Sequence, residues 1–399
     1  MSAFRPADER ELIEIIVGAL ARDEPLELVA GASKRGLGRP LQLPHVVELS
    51  AFAGIRLYEP EELVLTAGAA TPLGEIESAL AANRQMLAFE PADWRALLGT
   101  TDRSQTIGGV LSCNLAGPRR IRQGAARDHF LGFRAVSGRA EPFKAGGRVV
   151  KNVTGYDLPK LMAGSYGTLA ALIEVTIKVL PLPETTRTLM LAGLDDEAAR
   201  RAMGAALGSA HEVGGAAHLP AAVAADLAGG GARTLLRLEG VVPSVAARVE
   251  ALVRELAGFG AVDVLGDRES QALWRALRDA APFAALPDRA VWRVSVAPTA
   301  GPAIVARVAR QVDLRHYFDW GGGLVWLAVA GEGDGGAASI RGALGEGGHA
   351  TLVRAPDGMR AAVPVFQPQP AALAALAARV KEGFDPRRIL NRGRMVAGI

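Results

Sequence analysis

Cysteine is almost absent: Cys113 is the only one in 399 residues. No disulfide can close within the chain, which suits a reducing, cytoplasmic compartment. One thiol also falls short of the roughly four thiolates that hold an iron–sulfur cluster. Cys113 itself reads as a small buried filler. Long basic runs are lacking and the net charge is only +3, so nucleic-acid binding is not implied. No run reaches about 18 uninterrupted apolar residues, and no transmembrane helix is expected. The polar start, Met1 to Arg10, has no hydrophobic signal core. Six histidines stand at 45, 129, 211, 218, 316 and 349, without the close spacing of metal-ligand pairs. His316 therefore reads as structural.

What is present is apolar residues, at 49%, and glycine, at 47 positions. The first indicates a globular chain of two or three domains. The second indicates many turns and close backbone approaches. Residues 8–20 carry Leu12, Ile15, Ile16, Ala19 and Leu20 on one helical face. Strands are expected at Leu26–Ala30, Val46–Leu49 and Leu63–Ala67. Thr71 suits an N-cap with Pro72 at the first helical position, and Leu73, Ile76 and Leu80 form the buried face of that helix. Met86–Phe89 is a short apolar stretch ended by Glu90-Pro91. Phe130–Val136, Val149-Val150 and Leu172–Leu180 read as strands. In the last, Ile173, Val175, Ile177 and Val179 alternate with Glu174, Thr176 and Lys178. Asp157–Met162 suits a helical turn.

Pro181-Leu-Pro183 marks the main domain boundary. Beyond it, strands are expected at Leu189–Leu194, Thr234–Glu239, Val291–Ala297 and Leu324–Ala330. Helices are expected over 196–208, 243–257, 268–279 and 302–311, a sheet with helices on one face. Gly331 to Gly336 reads as a surface loop rather than a metal site. Ala371–Val380 is an amphipathic helix, and Phe384–Arg394 is turn-rich. The alternation implies α/β, or α+β with mixed sheets.

Two glycine stretches bear on chemistry. Thr106-Ile-Gly-Gly-Val-Leu-Ser-Cys-Asn-Leu-Ala-Gly117 places Gly108 and Gly109, which lack Cβ, among the short polar side chains Thr106, Ser112 and Asn114. Its amides could face a flat ligand; the ordinary alternative is a tight loop or a packed helix start. Gly31-Ala-Ser-Lys-Arg-Gly36-Leu-Gly38 follows a strand, as a phosphate cradle or a plain turn would. It is no Walker loop, because Leu37-Gly38 stands where Lys-Ser/Thr is required. Nor is it a G-x-G-x-x-G fingerprint.

In order along the chain stand Gly31-Ala-Ser-Lys34, Thr106-Ile-Gly-Gly109, Gly124-Ala-Ala-Arg-Asp128 and Val149-Val-Lys-Asn-Val-Thr-Gly-Tyr-Asp157. They are followed by Gly164-Ser-Tyr-Gly-Thr168 with Glu174-Val-Thr-Ile-Lys-Val179, and by Ile389-Leu-Asn-Arg-Gly-Arg394. Together they resemble the FAD-binding subunit of bacterial glycolate oxidase, within the vanillyl-alcohol oxidase and p-cresol methylhydroxylase group of flavoproteins. The resemblance implies an α+β chain: a two-subdomain FAD-binding fold over 1–183, an α/β cap with an antiparallel sheet over 184–355, and a segment, 356–399, returning to the FAD domain. It implies that Gly31, Ala32, Ser33 and Lys34 hold the FAD pyrophosphate through backbone amides. Pro91, Thr106, Gly108, Gly109, Ser112, Asn114 and Gly117 would run along the flavin and its ribityl chain. Ile173 would meet the adenine end through its backbone, and Asn391 and Arg394 would return near the ring.

Two departures shape the expectation. Covalent relatives carry a flavin-linking histidine near the pyrophosphate loop, and Gly31–Gly38 has none, so FAD is expected to be non-covalent. Hydroxy-acid dehydrogenases of the group share a cap motif, His-x-Gly-Asp-Gly-Asn-x-His, whose histidines ligate a metal and serve the substrate. The matching region here, Phe318-Asp-Trp-Gly-Gly-Gly-Leu-Val-Trp326, keeps glycines and loses both histidines. The resemblance thus implies an oxidoreductase subunit acting on glycolate or another small 2-hydroxy acid. A sister flavoprotein subunit would do the chemistry and an iron–sulfur subunit would take the electrons, with peripheral membrane association through these partners. The alternatives are a self-sufficient FAD dehydrogenase, in which Arg315, Arg354, Arg360 or Arg394 grips a carboxylate, and a flavin-free scaffold. No metal is expected in this chain.

Overall fold

The first helix forms where apolar spacing places it. The computed structural model describes residues 2–148, 155–225, 227–331, 333–345 and 347–398. The helix runs Glu9–Arg22, and Asp8 caps it by accepting from the Glu11 amide at 2.9 Å. Leu12, Ile16 and Ala19 are buried in a core with Leu26, Val47, Ile389 and Leu390. This core supports a small parallel sheet with strand order Ser2–Phe4, His45–Glu48, Leu26–Val29. The C-terminal tail joins its edge: Leu26 donates to Ile389 O at 2.7 Å and Asn391 donates to Leu26 O at 2.9 Å.

The chain divides into two compact units. The first comprises 1–116, 124–182 and 368–399. Besides the parallel sheet it holds an antiparallel one, ordered Ile55–Glu59, Val64–Gly68, Ala170–Lys178, Phe130–Ser137, Pro142–Gly146. The strand expected from its alternation is the central one. Position overrides pattern there: Thr176 is buried and its hydroxyl bonds Thr66 at 2.9 Å, because neighbours flank the strand on both sides. Ile55–Glu59 was not anticipated. Thr71 is not the N-cap. Its hydroxyl donates to Gly68 O at 2.6 Å and accepts from Gly54 N, so the helix starts at Leu73 behind Pro72. The expected burial of Leu73, Ile76 and Leu80 holds. The stretch Val149–Thr154 lies outside the described residues.

The second unit comprises 117–123 and 183–367. Its sheet of eight strands is antiparallel and ordered Val262–Leu265, Thr185–Ala192, Arg233–Gly240, Gly215–Leu219, Leu314–Asp319, Leu324–Ala330, Arg289–Ser295, His349–Arg354. Four of these strands were not anticipated: Gly215–Leu219, Val262–Leu265, Leu314–Asp319 and His349–Arg354. Leu189, Leu191, Leu236 and Leu327 share a core with Met203, Val245, Leu252 and Ile304 from three helices. The expectation of helices on one face is corrected. Thr188 points opposite to its neighbours Leu189 and Leu191, and it accepts from Trp274 Nε1 at 2.9 Å, so helix Asp267–Arg278 covers the reverse face.

The last helix, Ala371–Phe384, buries only Lys381. Its expected apolar face is exposed, with Leu373 and Leu376 about half accessible. No described helix is long and apolar enough to cross a membrane.

Candidate functional site

The strand Leu26–Val29 runs into the Gly31 loop, which is held from two sides. Ala32 bridges Ser104, and a Cβ on Gly31 would lie 1.9 Å from Ser104 O. Only glycine lets the two backbones approach so closely. On the other side Arg394 donates to Arg35 O at 2.9 Å and Leu37 O at 3.1 Å, while Arg39 N donates to Arg394 O at 2.8 Å. Buried Glu27 pairs with Arg35 and lies 3.4 Å from Arg394.

The second glycine stretch is a packed helix, Ile107–Cys113, capped by Thr106. Its first amides do not face outward. Ile107 N donates to Thr71 O at 3.1 Å, Gly108 N to Ala69 O at 2.8 Å, and Gly109 N to the Thr106 hydroxyl at 3.4 Å. Gly108 is glycine for packing, since a Cβ would stand 2.7 Å from Ala69 O. The expectation of ligand-facing amides at Gly108 and Gly109 is thereby corrected.

Between loop and helix lies a hollow of about 790 Å³, counted with its open mouth. It gathers Gly31, Ala32, Ser33, Lys34, Thr106, Gly108, Gly109, Ser112 and Asn391 from distant parts of the chain. Four of the expected site residues do not line it. Pro91 is buried after the Leu87–Glu90 turn. Asn114 caps the helix in a left-handed conformation, its Oδ1 accepting from Arg127 N. Ile173 has its carbonyl taken by Ala69 N at 2.8 Å. Gly117, in the second unit, accepts from Trp320 Nε1 at 3.1 Å.

Tyr166 and Gly167 line the hollow without having been expected there. Asn391 Nδ2 donates to Tyr166 O at 2.8 Å, and a Cβ on Gly167 would meet that nitrogen at 2.7 Å. The signal was the Gly164-Ser-Tyr-Gly-Thr168 run, whose glycines both sit at positive φ.

Charge in the hollow is uneven. The Lys34 ammonium is pushed down to about 8, chiefly by loss of hydration. Lys34 is partly accessible as a residue because the hollow is open, yet its amine lies deep within. The Cys113 thiol, also on the lining, is pushed up to about 11 by burial and stays protonated at neutral pH. Cys113 is therefore part of a cavity wall and not a closed-core filler.

In the second unit, the loop matching the cap motif has a structural use. Trp320 sits at φ 53°, with the guanidinium carbons of Arg120 at 4.6 Å and Arg293 at 4.8 Å from its ring centroid. It thus clamps the 117–123 segment to its own sheet. Of the arginines considered for a carboxylate, Arg354 bonds Phe283 O, Arg360 pairs with Asp357, and Arg394 is bound in the first unit. Among the described residues the Arg315 side chain makes no hydrogen bond or ion pair.

The histidines are less isolated than their spacing suggests. His316 Nε2 is 2.8 Å from one Asp196 oxygen and His218 Nε2 is 3.4 Å from the other. No metal-holding group of three appears among the described residues. Desolvation alone would raise Asp196, but hydrogen bonds with His218 and His316 bring it well below the ordinary carboxylate range. A depressed carboxylate stabilises above its unfolded pKa of about 4 and loses that stabilisation as pH falls below it. Relative to Asp196→Asn, the wild type should lose about 1 kcal/mol of stability between about pH 4 and 2, discounted for partial exposure. Parallel urea titrations of the two proteins in that window would test this, and parallel curves would refute it.

The comparisons fit this geometry. A family model described as an FAD binding domain matches residues 2–146. Glycolate oxidase subunit GlcD of Bacillus subtilis (strain 168) is 40% identical over 85 residues, covering 21% of this chain and 18% of its own. The structure of 4-ethylphenol oxidase from Gulosibacter chungangensis, in its isoeugenol complex, superposes with a TM-score of 0.72 at 13% identity, over 99% of this chain and 88% of its own, a likeness of fold. Glycolate oxidase subunit GlcE of Escherichia coli (strain K12) is 35% identical over 389 residues, 97% of each chain. On that full-length match, the chain belongs to the family of the glycolate oxidase subunit GlcE, an FAD-binding oxidoreductase family.

Proposed function

We propose that this chain carries FAD, non-covalently, in the hollow of its first unit, as one subunit of a complex that oxidises glycolate or a similar 2-hydroxy acid. The observation that carries the reading is the hollow itself. An open cavity joins the Gly31 loop to the Thr106 helix, and Lys34 turns a desolvated ammonium into it. Ala32, Ser33 and Lys34 would lie against the diphosphate, and Asn391, fixed by Leu28 N and Tyr166 O, would wall the far side. Bound FAD supplies hydride acceptance and onward electron transfer.

Non-covalent attachment has local support. Among the described residues the lining contains no histidine, and its one thiol is held protonated and thus a poor nucleophile. The loop at Trp320 supports a division of labour, since the region matching the cap motif has no histidine and its indole packs against the guanidiniums of Arg120 and Arg293. On this reading a sister flavoprotein subunit oxidises the substrate. An iron–sulfur subunit receives the electrons, because a single cysteine cannot hold a cluster. The assembly then works in the cytoplasm, at the inner face of the membrane through its partners.

The purified chain should be yellow, and acid precipitation should release all flavin to the supernatant. Loaded with FAD but alone, it should turn over glycolate at under about 1% of the rate of the assembled complex, the scale of lost acid–base catalysis. A colourless protein that rejects added FAD would overturn the cofactor assignment. Full activity in isolation would overturn the division of labour.

A further inference from the structure

The hollow is lined by three cations, Lys34, Arg35 and Arg394. Glu27 serves two of them: Arg35 pairs with it, and Arg394 lies within 3.4 Å of it. Lys34 is different. Among the described residues its only hydrogen bond is a long one, 3.3 Å, to the adjacent Ser33 hydroxyl. Its ammonium lies over the first turn of the Thr106 helix, 3.9 Å from where a Gly109 Cβ would project.

A desolvated ammonium with one weak acceptor is costly unless something anionic completes it. The amides that could otherwise meet an anion there, those of Ile107, Gly108 and Gly109, are already hydrogen-bonded inside the protein. On the helix side of the hollow the donor offered to a diphosphate is therefore the Lys34 ammonium. We propose that the Lys34 ammonium is the direct counter-charge for the diphosphate of the bound dinucleotide, a contact distinct from the backbone cradle of the loop. This rests on the FAD reading above.

The contact has a pH signature. Free Lys34 loses its proton near pH 8, whereas a diphosphate beside it would raise that value. Affinity should thus be level below about pH 8 and fall as pH rises past it, by up to about tenfold per unit. Full-length protein stripped of flavin is titrated with FAD and with ADP at pH 7 and pH 9. Wild type should bind both more weakly at pH 9. Lys34→Met should bind both at least about 30-fold more weakly at pH 7, the lower end of the range for losing one partner of a buried charge pair, and lose the pH dependence. Lys34→Arg should restore most of the affinity and flatten the profile, since guanidinium stays charged.

If wild type binds FAD and Lys34→Met binds it equally well, or if wild-type affinity is the same at both pH values, the proposal is wrong while the FAD reading stands. If wild type binds neither FAD nor ADP, the reading beneath it fails. Should Lys34→Met misfold, the wild-type pH profile and Lys34→Arg still decide.

Discussion

Replacing Asp385 with alanine is expected to destabilise the protein by about 3–5 kcal/mol, the range for removing one partner of a buried ion pair. Asp385 is fully buried. Its carboxylate accepts from Lys381 Nζ at 2.6 Å, from Ile389 N at 2.8 Å and from Leu390 N at 2.8 Å. Alanine would leave an ammonium and two amides short of an acceptor in the core. The loss should not stay local. Leu390 and Asn391 follow at once and form the edge of the parallel sheet and one wall of the hollow, so flavin retention should fall along with stability. Urea unfolding would measure the first effect and flavin content after gel filtration the second. A loss below about 1 kcal/mol would show that this buried pair contributes no more than a surface one.

The other large effect is expected at Gly31. Gly31→Val should abolish flavin retention, weakening FAD by at least about 100-fold, or roughly 2.7 kcal/mol. A Cβ there would come within 1.9 Å of Ser104 O and 2.8 Å of its carbonyl carbon. These are backbone atoms that cannot swing aside, so the loop and the Ser104 segment must separate and the hollow must open. Gly36→Ala is the matched control. Its Cβ would meet Leu98 Cδ2 at 3.5 Å, an ordinary contact, and FAD binding should be retained. Equal flavin absorbance in Gly31→Val and wild type would mean that the loop plays no part in holding the cofactor.

Local pattern was legible wherever one face of an element is buried. Helix Glu9–Arg22 follows the spacing of Leu12, Ile16 and Ala19, which bury one face at helical period, and strand Leu324–Ala330 follows its continuous apolar run, because it is buried on both faces. Gly215–Leu219 was not legible. Its Gly-Ala-Ala-His-Leu becomes a strand by pairing with Arg233–Gly240 and Leu314–Asp319, which no local preference reports. The histidines show the same limit. Asp196, His218 and His316 are remote in sequence, yet adjacent strands and a helix start bring them onto one carboxylate.

For the site, the sequence by itself determined the ingredients. A glycine where Ser104 presses on the loop, a lysine three residues later, and a threonine ahead of a glycine pair are all visible in the residues. Tertiary structure alone decided their use. It turned the amides of Gly108 and Gly109 inward, left the Lys34 ammonium desolvated with one long hydrogen bond to Ser33, and brought Asn391 against Leu28 across 363 residues of chain. The physical reason is that hydrogen-bond partners and desolvation are set by what packs nearby, and here those neighbours come from the far end of the chain.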